Sequence, residues 1–131
     1  MRPEPSRLYS TPPSAESAYE LFARGSRFLQ EGHPHQAAML LSRARLMEPE
    51  KASIREALAR ALFMSGRTAW ARREFAKTIA IDPVNDYAHF GLALACERTG
   101  QRTRAIAHLK LAIAMRPGIR HYERALARLG G

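Results

Sequence analysis

The sequence is poor in cysteine and contains no long apolar run. Its 131 residues include a single cysteine, Cys96, so no disulfide can form within one chain. No stretch approaches the roughly 18 consecutive apolar residues that a membrane span requires, and the N-terminal residues lack the apolar core of a secretory signal. We therefore expect a cytoplasmic protein without membrane contact, in which Cys96 is buried as a small apolar side chain.

Motifs of enzymes and metal sites are missing as well. His33 and His35 are two residues apart and point in different directions on a helix, and the other three histidines belong to separate predicted elements. The chain has no H-E-x-x-H, no C-x-x-C, no glycine-rich phosphate loop and no nucleophile elbow. The sequence thus predicts a protein that is not an enzyme and has neither a metal site nor a cofactor.

Lysine is scarce, although the chain is strongly basic. Only 3 of the 21 basic residues are lysine, the formal net charge is +9, and nearly all of the excess lies in residues 52–131. Nine residues on predicted second helices, turns and the last helix form a predicted basic surface: Arg67, Arg72, Arg73, Lys77, Arg102, Arg104, Arg120, Arg124 and Arg128. This surface fits an acidic protein, a weak nucleic-acid contact or a merely solvated face, and no recognisable nucleic-acid module accompanies it.

What the chain does contain is an internal repeat of constant period. Pro49, Pro83 and Pro117 are evenly spaced, and two further sets keep the same interval: Gly32, Gly66 and Gly100, and Ala37, Ala71 and Ala105. Within each unit we predict a helix that ends at the glycine, which can adopt a left-handed conformation, and a second helix that stops near the proline. Small residues mark the predicted crossing of the two helices: Gly25, Ala59 and Ala93 in the first, and the three alanines in the second.

The repeat carries a recognisable motif. An alanine is followed four positions later by a large apolar residue in Ala37-x3-Leu41, Ala71-x3-Phe75 and Ala105-x3-Leu109, and a proline closes each unit. Residues 18–119 therefore resemble three tandem tetratricopeptide repeats, at 18–51, 52–85 and 86–119. The resemblance implies an all-α, right-handed α-solenoid of three helix-turn-helix repeats. The aromatic residue usual near the start of the first helix is replaced by Leu21, Arg55 and His89.

The two ends of the chain differ. We predict a flexible, proline-rich arm over residues 1–16 and a repeat domain over 17–131, with capping boxes at Ser17-x-x-Glu20 and Ser53-x-x-Glu56. A seventh helix over residues 119–129 is predicted to cap the last repeat through Tyr122, Leu126 and Leu129. No such cap precedes the first repeat, so that end is a candidate for self-association, or for cover by residues 8–16.

One face of each first helix points away from its partner helix. By helical spacing this face holds Tyr19, Phe22, Ser26, Leu29, Ser53, Glu56, Arg60, Phe63, Tyr87, Phe90, Leu94 and Glu97, with Met64 and Arg98 beside it. In the resembled family this face lines a concave groove that binds peptides. We expect about a third of these side chains to pack between repeats and the others to form the binding surface.

The groove residues indicate the kind of partner. One branch of the family binds the C-terminal carboxylate of chaperones through Lys, Asn and Arg, but the matching residues here cannot hold a carboxylate in that way: Phe22, Ser26, Ala57, Tyr87 and Gly91. An apolar or aromatic peptide or helix, with acidic flanks that meet Arg60 and Arg98, fits better. The predicted function is a non-enzymatic adaptor or assembly chaperone, similar in architecture to the three-repeat chaperones of secretion systems. The alternative is a basic accessory protein of an RNA- or DNA-containing complex.

Overall fold

Seven α-helices and no strand make up residues 16–131, the part of the chain that this computed structural model describes. The first helices of the three repeats are α1 (Ala18–Gln30), α3 (Ala52–Met64) and α5 (Asp86–Arg98). The second helices are α2 (Pro34–Met47), α4 (Thr68–Ile81) and α6 (Arg102–Met115), and α7 (Arg120–Arg128) follows them. The three helix pairs begin at equal intervals along the chain. The predicted solenoid of three repeats with a seventh, terminal helix is confirmed.

Local signals explain one predicted helix start and fail at another. The backbone amide of Glu20 donates to the Ser17 hydroxyl (3.1 Å) and the amide of Ser17 donates to the Glu20 carboxylate (2.8 Å), so the first predicted capping box is confirmed. The second is wrong, because α3 begins at Ala52 and Ser53 already lies inside its first turn. The residue before α3 is Lys51, whose side chain makes no capping hydrogen bond.

The turn between the two helices of each repeat depends on a glycine. Gly32, Gly66 and Gly100 have φ angles of 81°, 85° and 79°, a region that other residues rarely adopt. Pro34 then occupies the first turn of α2, as predicted, where its missing N–H breaks no hydrogen bond. The periodic glycines therefore set the helix reversals that define the repeats.

Close approach of the helices requires small residues. All six predicted crossing residues are buried: Gly25, Ala59, Ala93, Ala37, Ala71 and Ala105. A Cβ atom on Gly25 would lie 2.7 Å from Cγ of Leu41, and one on Gly91 would lie 2.2 Å from Cζ of Phe75. Leu41 and Phe75 are themselves fully buried, so a methyl group at either glycine would force the core to shift.

Packing between repeats curves the stack. Helix α1 contacts α3 and α3 contacts α5, whereas no comparable contact joins α2 to α4 or α4 to α6 among the described helices. Since the first helices approach each other more closely than the second helices do, they line the concave side of the solenoid. The predicted groove and most of the predicted basic surface therefore lie on opposite sides of the molecule.

A buried ion-pair network joins the first two repeats. The Glu74 carboxylate, which is 4% exposed as a residue, accepts hydrogen bonds from Arg55 (2.8 Å) and Arg45 (2.6 Å). One repeat earlier, the positions of Arg55 and Glu74 hold Leu21 and Leu40, which are buried in one apolar cluster. The arginine that departs from the family pattern at position 55 is therefore compensated by an acidic partner on the second helix of the same repeat.

Two histidines occupy the same positions in the third repeat. Nε2–H of the buried His89 donates to the carbonyl oxygen of Pro83 at 3.2 Å. Since a neutral imidazole has one donor and one acceptor nitrogen, Nδ1 of His89 accepts from Nδ1–H of His108 at 3.1 Å. Burial, with the neighbouring His89 and Arg104, lowers the pKa of His108. The folded protein therefore favours the neutral form of His108.

We expect acid to weaken the third repeat through His108. Because the folded state lowers the pKa of this imidazole, its contribution to stability is complete above the ordinary pKa of about 6.5 and declines as the pH falls below that value. Urea unfolding at about pH 7.5 and about pH 5.5 measures the loss. The loss should be smaller in His108→Gln than in the unaltered protein, and an equal loss in both would contradict the assignment.

Helix α7 covers the third repeat. The Tyr122 ring is 3% exposed, stacks on Phe90 with ring centroids 4.7 Å apart, and its hydroxyl donates to Asp86 at 2.6 Å. Leu126 and Leu129 pack partly buried against the same core. The predicted cap contacts are confirmed, and the opposite face of α7 exposes its arginines to solvent.

Most of the predicted N-terminal arm lies outside the residues that the structure describes. The predicted arm over 1–16 lies, apart from Glu16, outside the described residues, and Glu16 forms an ion pair with Arg24. None of the described helices has both the length and the apolar character needed to cross a membrane. The buried position predicted for Cys96 is confirmed.

Candidate functional site

The concave side formed by α1, α3 and α5 carries the candidate site, which we call the groove. Its exposed or half-buried side chains are Tyr19, Phe22, Ser26, Ser53, Glu56, Arg60, Phe63, Met64, Tyr87, Leu94, Glu97 and Arg98. Ten of them come from the positions that helical spacing predicts, and Met64 and Arg98 lie beside those positions. The groove therefore combines aromatic rings, aliphatic side chains and two arginines on one surface.

A cavity of about 280 Å³ lies at the N-terminal end of the groove. Tyr19 and Phe22 of α1 form one wall, and Ser53 and Ile54 of α3 form the other. Tyr19 is 77% exposed and makes no ring contact with another described residue, so its ring is available to a ligand. Lys51 and Glu48 line the same cavity and place one positive and one negative charge there, and neither residue is among the groove residues predicted from the sequence.

The middle of the groove is a stacked pair. The guanidinium of Arg60 lies 5.6 Å from the ring centroid of Tyr87, and Tyr87 also makes ring contacts with Phe75 and Phe90. Burial raises the pKa of the Tyr87 hydroxyl, which therefore stays protonated and able to donate a hydrogen bond. These contacts hold Arg60 on the groove surface in a position to meet an acidic group.

A second cavity, of about 380 Å³, lies at the C-terminal end of the groove. Phe63 of α3 and Leu94 of α5 supply its apolar walls, and the guanidinium of Arg98 lies 3.7 Å from the centroid of the Phe63 ring. Arg128 donates to the Glu97 carboxylate at 2.6 Å and so neutralises it. Within the described part of the chain no carboxylate forms an ion pair with Arg98, whose charge is left for a ligand.

Three predicted site residues are placed differently from expectation. Leu29 and Phe90 are 5% and 9% exposed and belong to the core, so they are not part of the groove surface. Phe90 is buried because Tyr122 and His121 of the cap pack against its ring. Arg128, predicted to lie away from the groove, lines its C-terminal cavity through the ion pair with Glu97.

The rest of the predicted basic surface lies on the convex side, the turns and the cap. Arg72, Arg73 and Lys77 are on α4, Arg104 is on α6, and Arg67 precedes α4. Arg102 donates to the backbone carbonyl of Leu129, and Arg120 and Arg124 are exposed on α7. Among residues 16–131 no three histidine, cysteine or acidic side chains come close enough together to hold a metal ion.

Solved structures share this architecture at low sequence identity. The first TPR domain of Spaghetti (RPAP3), solved with the HSP90 peptide SRMEEVD, is 15% identical, covers 87% of this chain and 90% of its own, and has a TM-score of 0.83. MamA is 20% identical over 95% of this chain and 71% of its own, with a TM-score of 0.84. The type III secretion chaperone SycD of Yersinia enterocolitica, solved with a peptide of the translocator YopD, is 14% identical over 86% of both chains, with a TM-score of 0.74.

At these identities the likeness concerns the fold, and no curated protein sequence gives a significant match to the chain. Family models provide the closer assignment. One model described as a tetratricopeptide repeat matches residues 28–89, and a second with the same description matches residues 66–118. Together they cover residues 28–118, which include most of the three helix pairs. The chain therefore belongs to the tetratricopeptide repeat family.

Proposed function

We propose that this protein is a non-enzymatic adaptor or assembly chaperone that binds an apolar or aromatic segment of another protein along its groove. The observation that carries the proposal is the arrangement of two cavities, each with aromatic and aliphatic walls beside charged side chains, at the ends of the groove with Arg60 and Tyr87 between them. A peptide or helix lying along α1, α3 and α5 would place apolar side chains in the cavities. Its acidic residues would pair with Arg60 and Arg98.

Structurally similar proteins support a peptide as the ligand. The RPAP3 domain was solved with an HSP90 peptide and SycD with a YopD peptide, so solenoids of this shape accommodate segments of other proteins. The residues of the groove favour an apolar segment over a C-terminal carboxylate, because Phe22 and Tyr87 stand where a carboxylate-binding branch has polar side chains. Gly91 cannot bind a carboxylate in their place either, because it has no side chain and is buried against Phe75.

Selection of peptides from a random library displayed on phage tests the proposal. We expect enriched peptides to carry aromatic or large aliphatic residues flanked by Asp or Glu. Phe63→Ala should weaken their binding by about thirtyfold, the typical effect of removing an aromatic anchor, and Tyr19→Ala should also weaken it. Dissociation constants from fluorescence anisotropy at physiological salt give the comparison.

Trp70→Ala is the matched control, because Trp70 is an aromatic residue of α4 that is 54% exposed on the convex side. This variant should bind the selected peptides as the unaltered protein does. Each variant must first show unchanged helicity and melting, since Phe63 is partly buried. Normal binding by folded Tyr19→Ala and Phe63→Ala, or equal weakening by Trp70→Ala, would refute the groove as the binding surface.

The net charge of +9 supports one alternative, an accessory role in a complex that contains RNA or DNA. Fluorescence anisotropy with a labelled nucleic-acid duplex, beside the peptide selection, distinguishes this alternative from the adaptor. Submicromolar affinity for a generic RNA or DNA duplex at physiological salt, together with no enrichment of peptides, would favour it over the adaptor. Binding of the duplex that disappears with added salt, beside strong peptide binding, favours the adaptor.

A further inference from the structure

A second cavity system lies on the convex side, away from the groove. Between α4 and α6 a cavity of about 390 Å³ opens, which we call the basic furrow. Arg72 and Arg73 of α4 and Arg104 of α6 form its rim, and Leu92 and Cys96 of α5 form its floor. The furrow exists because the second helices of neighbouring repeats do not contact each other as the first helices do.

Comparison with the preceding repeat explains why this furrow is open and basic. At the equivalent positions one repeat earlier, Cys96 corresponds to the buried Leu62, and Arg104 corresponds to Trp70. A smaller side chain on the floor leaves volume, and a guanidinium in place of an indole adds charge to the rim. Arg73 similarly corresponds to Met39, which is uncharged. The basic furrow is therefore specific to the junction between the second and third repeats.

Among residues 16–131 the positive charge of the rim has no acidic partner, although the guanidinium of Arg73 lies 4.8 Å from the ring centroid of Trp70. None of the residues that line the furrow is acidic, and α6 contains no acidic residue. The acidic residue of α4, Glu74, is already bonded to Arg45 and Arg55. Arg104 donates to the side chain of Gln101, and no carboxylate within the described residues pairs with Arg72 or Arg104. The rim can therefore accept at least two carboxylates without breaking an existing ion pair.

The floor is apolar and uncharged near neutral pH. Leu92, Cys96 and Ala107 line it, and burial raises the pKa of the Cys96 thiol, which stays protonated. His108 lies at its edge, and burial, with the neighbouring His89 and Arg104, lowers the pKa of this imidazole. A ligand that filled the furrow would thus meet apolar atoms below and guanidinium groups around it.

We propose that the basic furrow is a second binding site, which takes a segment of a partner protein in which one large aliphatic side chain is flanked by carboxylates. The aliphatic side chain occupies the space above Leu92, Cys96 and Ala107. The flanking carboxylates pair with Arg72 on α4 and Arg104 on α6, which stand on opposite sides of the furrow. The protein would then hold one segment on its concave side and an acidic segment on its convex side.

A protein segment fits this furrow better than a nucleic acid does. Contact with single-stranded nucleic acid usually adds aromatic rings on which bases stack, and the only ring among the lining residues is the imidazole of His108. That ring is already stacked on His89, with centroids 5.3 Å apart. The apolar floor also offers nothing to a phosphate, whereas an aliphatic side chain gains by its burial.

Fluorescence anisotropy with a short labelled peptide tests the site. The probe carries a leucine flanked on each side by two glutamates, and two control peptides replace either the leucine by serine or the glutamates by glutamine. We expect both control peptides to bind at least about tenfold more weakly than the probe at physiological salt. Arg72→Gln with Arg104→Gln should weaken binding of the probe by a similar factor. Arg120→Gln with Arg124→Gln, which removes the same charge from the exposed face of α7, should change it less than about twofold.

Cys96→Leu changes the shape of the furrow floor and leaves the charge of its rim unaltered. It introduces the residue that the preceding repeat has at this position, so we expect the protein to fold, the furrow to be filled and binding of the probe to fall at least about tenfold. A bound carboxylate should also raise the pKa of His108, which an NMR titration of the imidazole detects. Since the groove is also proposed to take apolar segments with acidic flanks, the furrow variants are compared in a protein that carries Tyr19→Ala with Phe63→Ala, which keeps this test independent of the groove.

Three results would overturn the proposal. One is the absence of probe binding up to about 1 mM, the weak end of specific association. Another is an equal loss of binding in the α7 arginine variant and the furrow arginine variant, which would indicate general attraction to a basic protein. The last is displacement of the probe by an RNA or DNA duplex with unchanged affinity in Cys96→Leu, which would assign the arginines to nucleic acid instead.

Discussion

Deletion of residues 119–131 is expected to lower the free energy of unfolding by about 3 to 6 kcal/mol, at about 25 cal/mol for each Å² of apolar surface that loses its cover. The deletion removes the Tyr122 ring from Phe90 and the partly buried Leu126 and Leu129 from the third repeat. It also leaves Asp86 without the hydroxyl that bonds to it at 2.6 Å. Urea unfolding followed by circular dichroism measures the change, and light scattering shows whether the exposed surface causes aggregation.

The arginine variant of α7 provides the control for this deletion. Arg120→Gln with Arg124→Gln keeps the buried face of the cap and alters only exposed side chains, so its stability should stay within about 0.5 kcal/mol of the unaltered protein. A truncated protein that stays monodisperse and melts at the original temperature would show that α7 does not stabilise the solenoid.

Glu74→Ala is expected to destabilise the protein by about 3 kcal/mol, because removal of one partner leaves buried charge without compensation. Glu74 accepts from Arg55, whose side chain is itself 13% exposed, and from Arg45. These three residues come from α4, α3 and α2, so the loss should loosen the junction between the first two repeats. The free energy of unfolding and hydrogen exchange in α2 and α3 report the effect.

The first repeat suggests a matched control, since it holds Leu21 and Leu40 at the positions of Arg55 and Glu74. Arg55→Leu with Glu74→Leu reproduces that apolar pair and should recover at least half of the stability that Glu74→Ala loses. A change of less than about 0.5 kcal/mol in Glu74→Ala would mean that the ion pair contributes little to the junction.

The fold was predictable because a single period controls every helix boundary of the repeats. Glycine at the turn and alanine at the helix crossing are required by backbone conformation and close packing, so their constant spacing reports the architecture directly. The second capping box shows the limit of local motifs. Ser53 and Glu56 have the right spacing, but α3 begins at Ala52, two residues too early for the serine to cap it.

Departures from the family pattern were predictable as isolated changes but not as pairs. Arg55 and His89 each replace an expected aromatic residue, and their partners Glu74 and His108 lie on the second helix of the same repeat, at the same separation in sequence. A search for complementary substitutions at this separation would have found both pairs. Single positions do not reveal them, because the compensation lies in a contact across the repeat.

Helical spacing predicted, to within a few residues, which side chains lie on the concave side. Helical spacing places Tyr19, Phe63 and Arg98 on the concave side, yet it does not tell how far the cap extends over the third repeat. The cap buries Phe90 and brings Arg128 to Glu97. The basic furrow was not foreseen, because it depends on a gap between second helices that periodicity alone does not measure.

The central claim, that the concave groove binds a segment of another protein, is tested most directly by NMR with a selected peptide that carries a nitroxide spin label. A peptide bound in the groove should cause the strongest broadening at the amides of Ser26, Arg60 and Leu94, which occupy equivalent positions on α1, α3 and α5. The equivalent convex residues Arg43, Lys77 and Leu111 should broaden much less. Stronger broadening at these convex residues than at the groove residues would show that the groove is not the binding surface and assign peptide binding to the second helices.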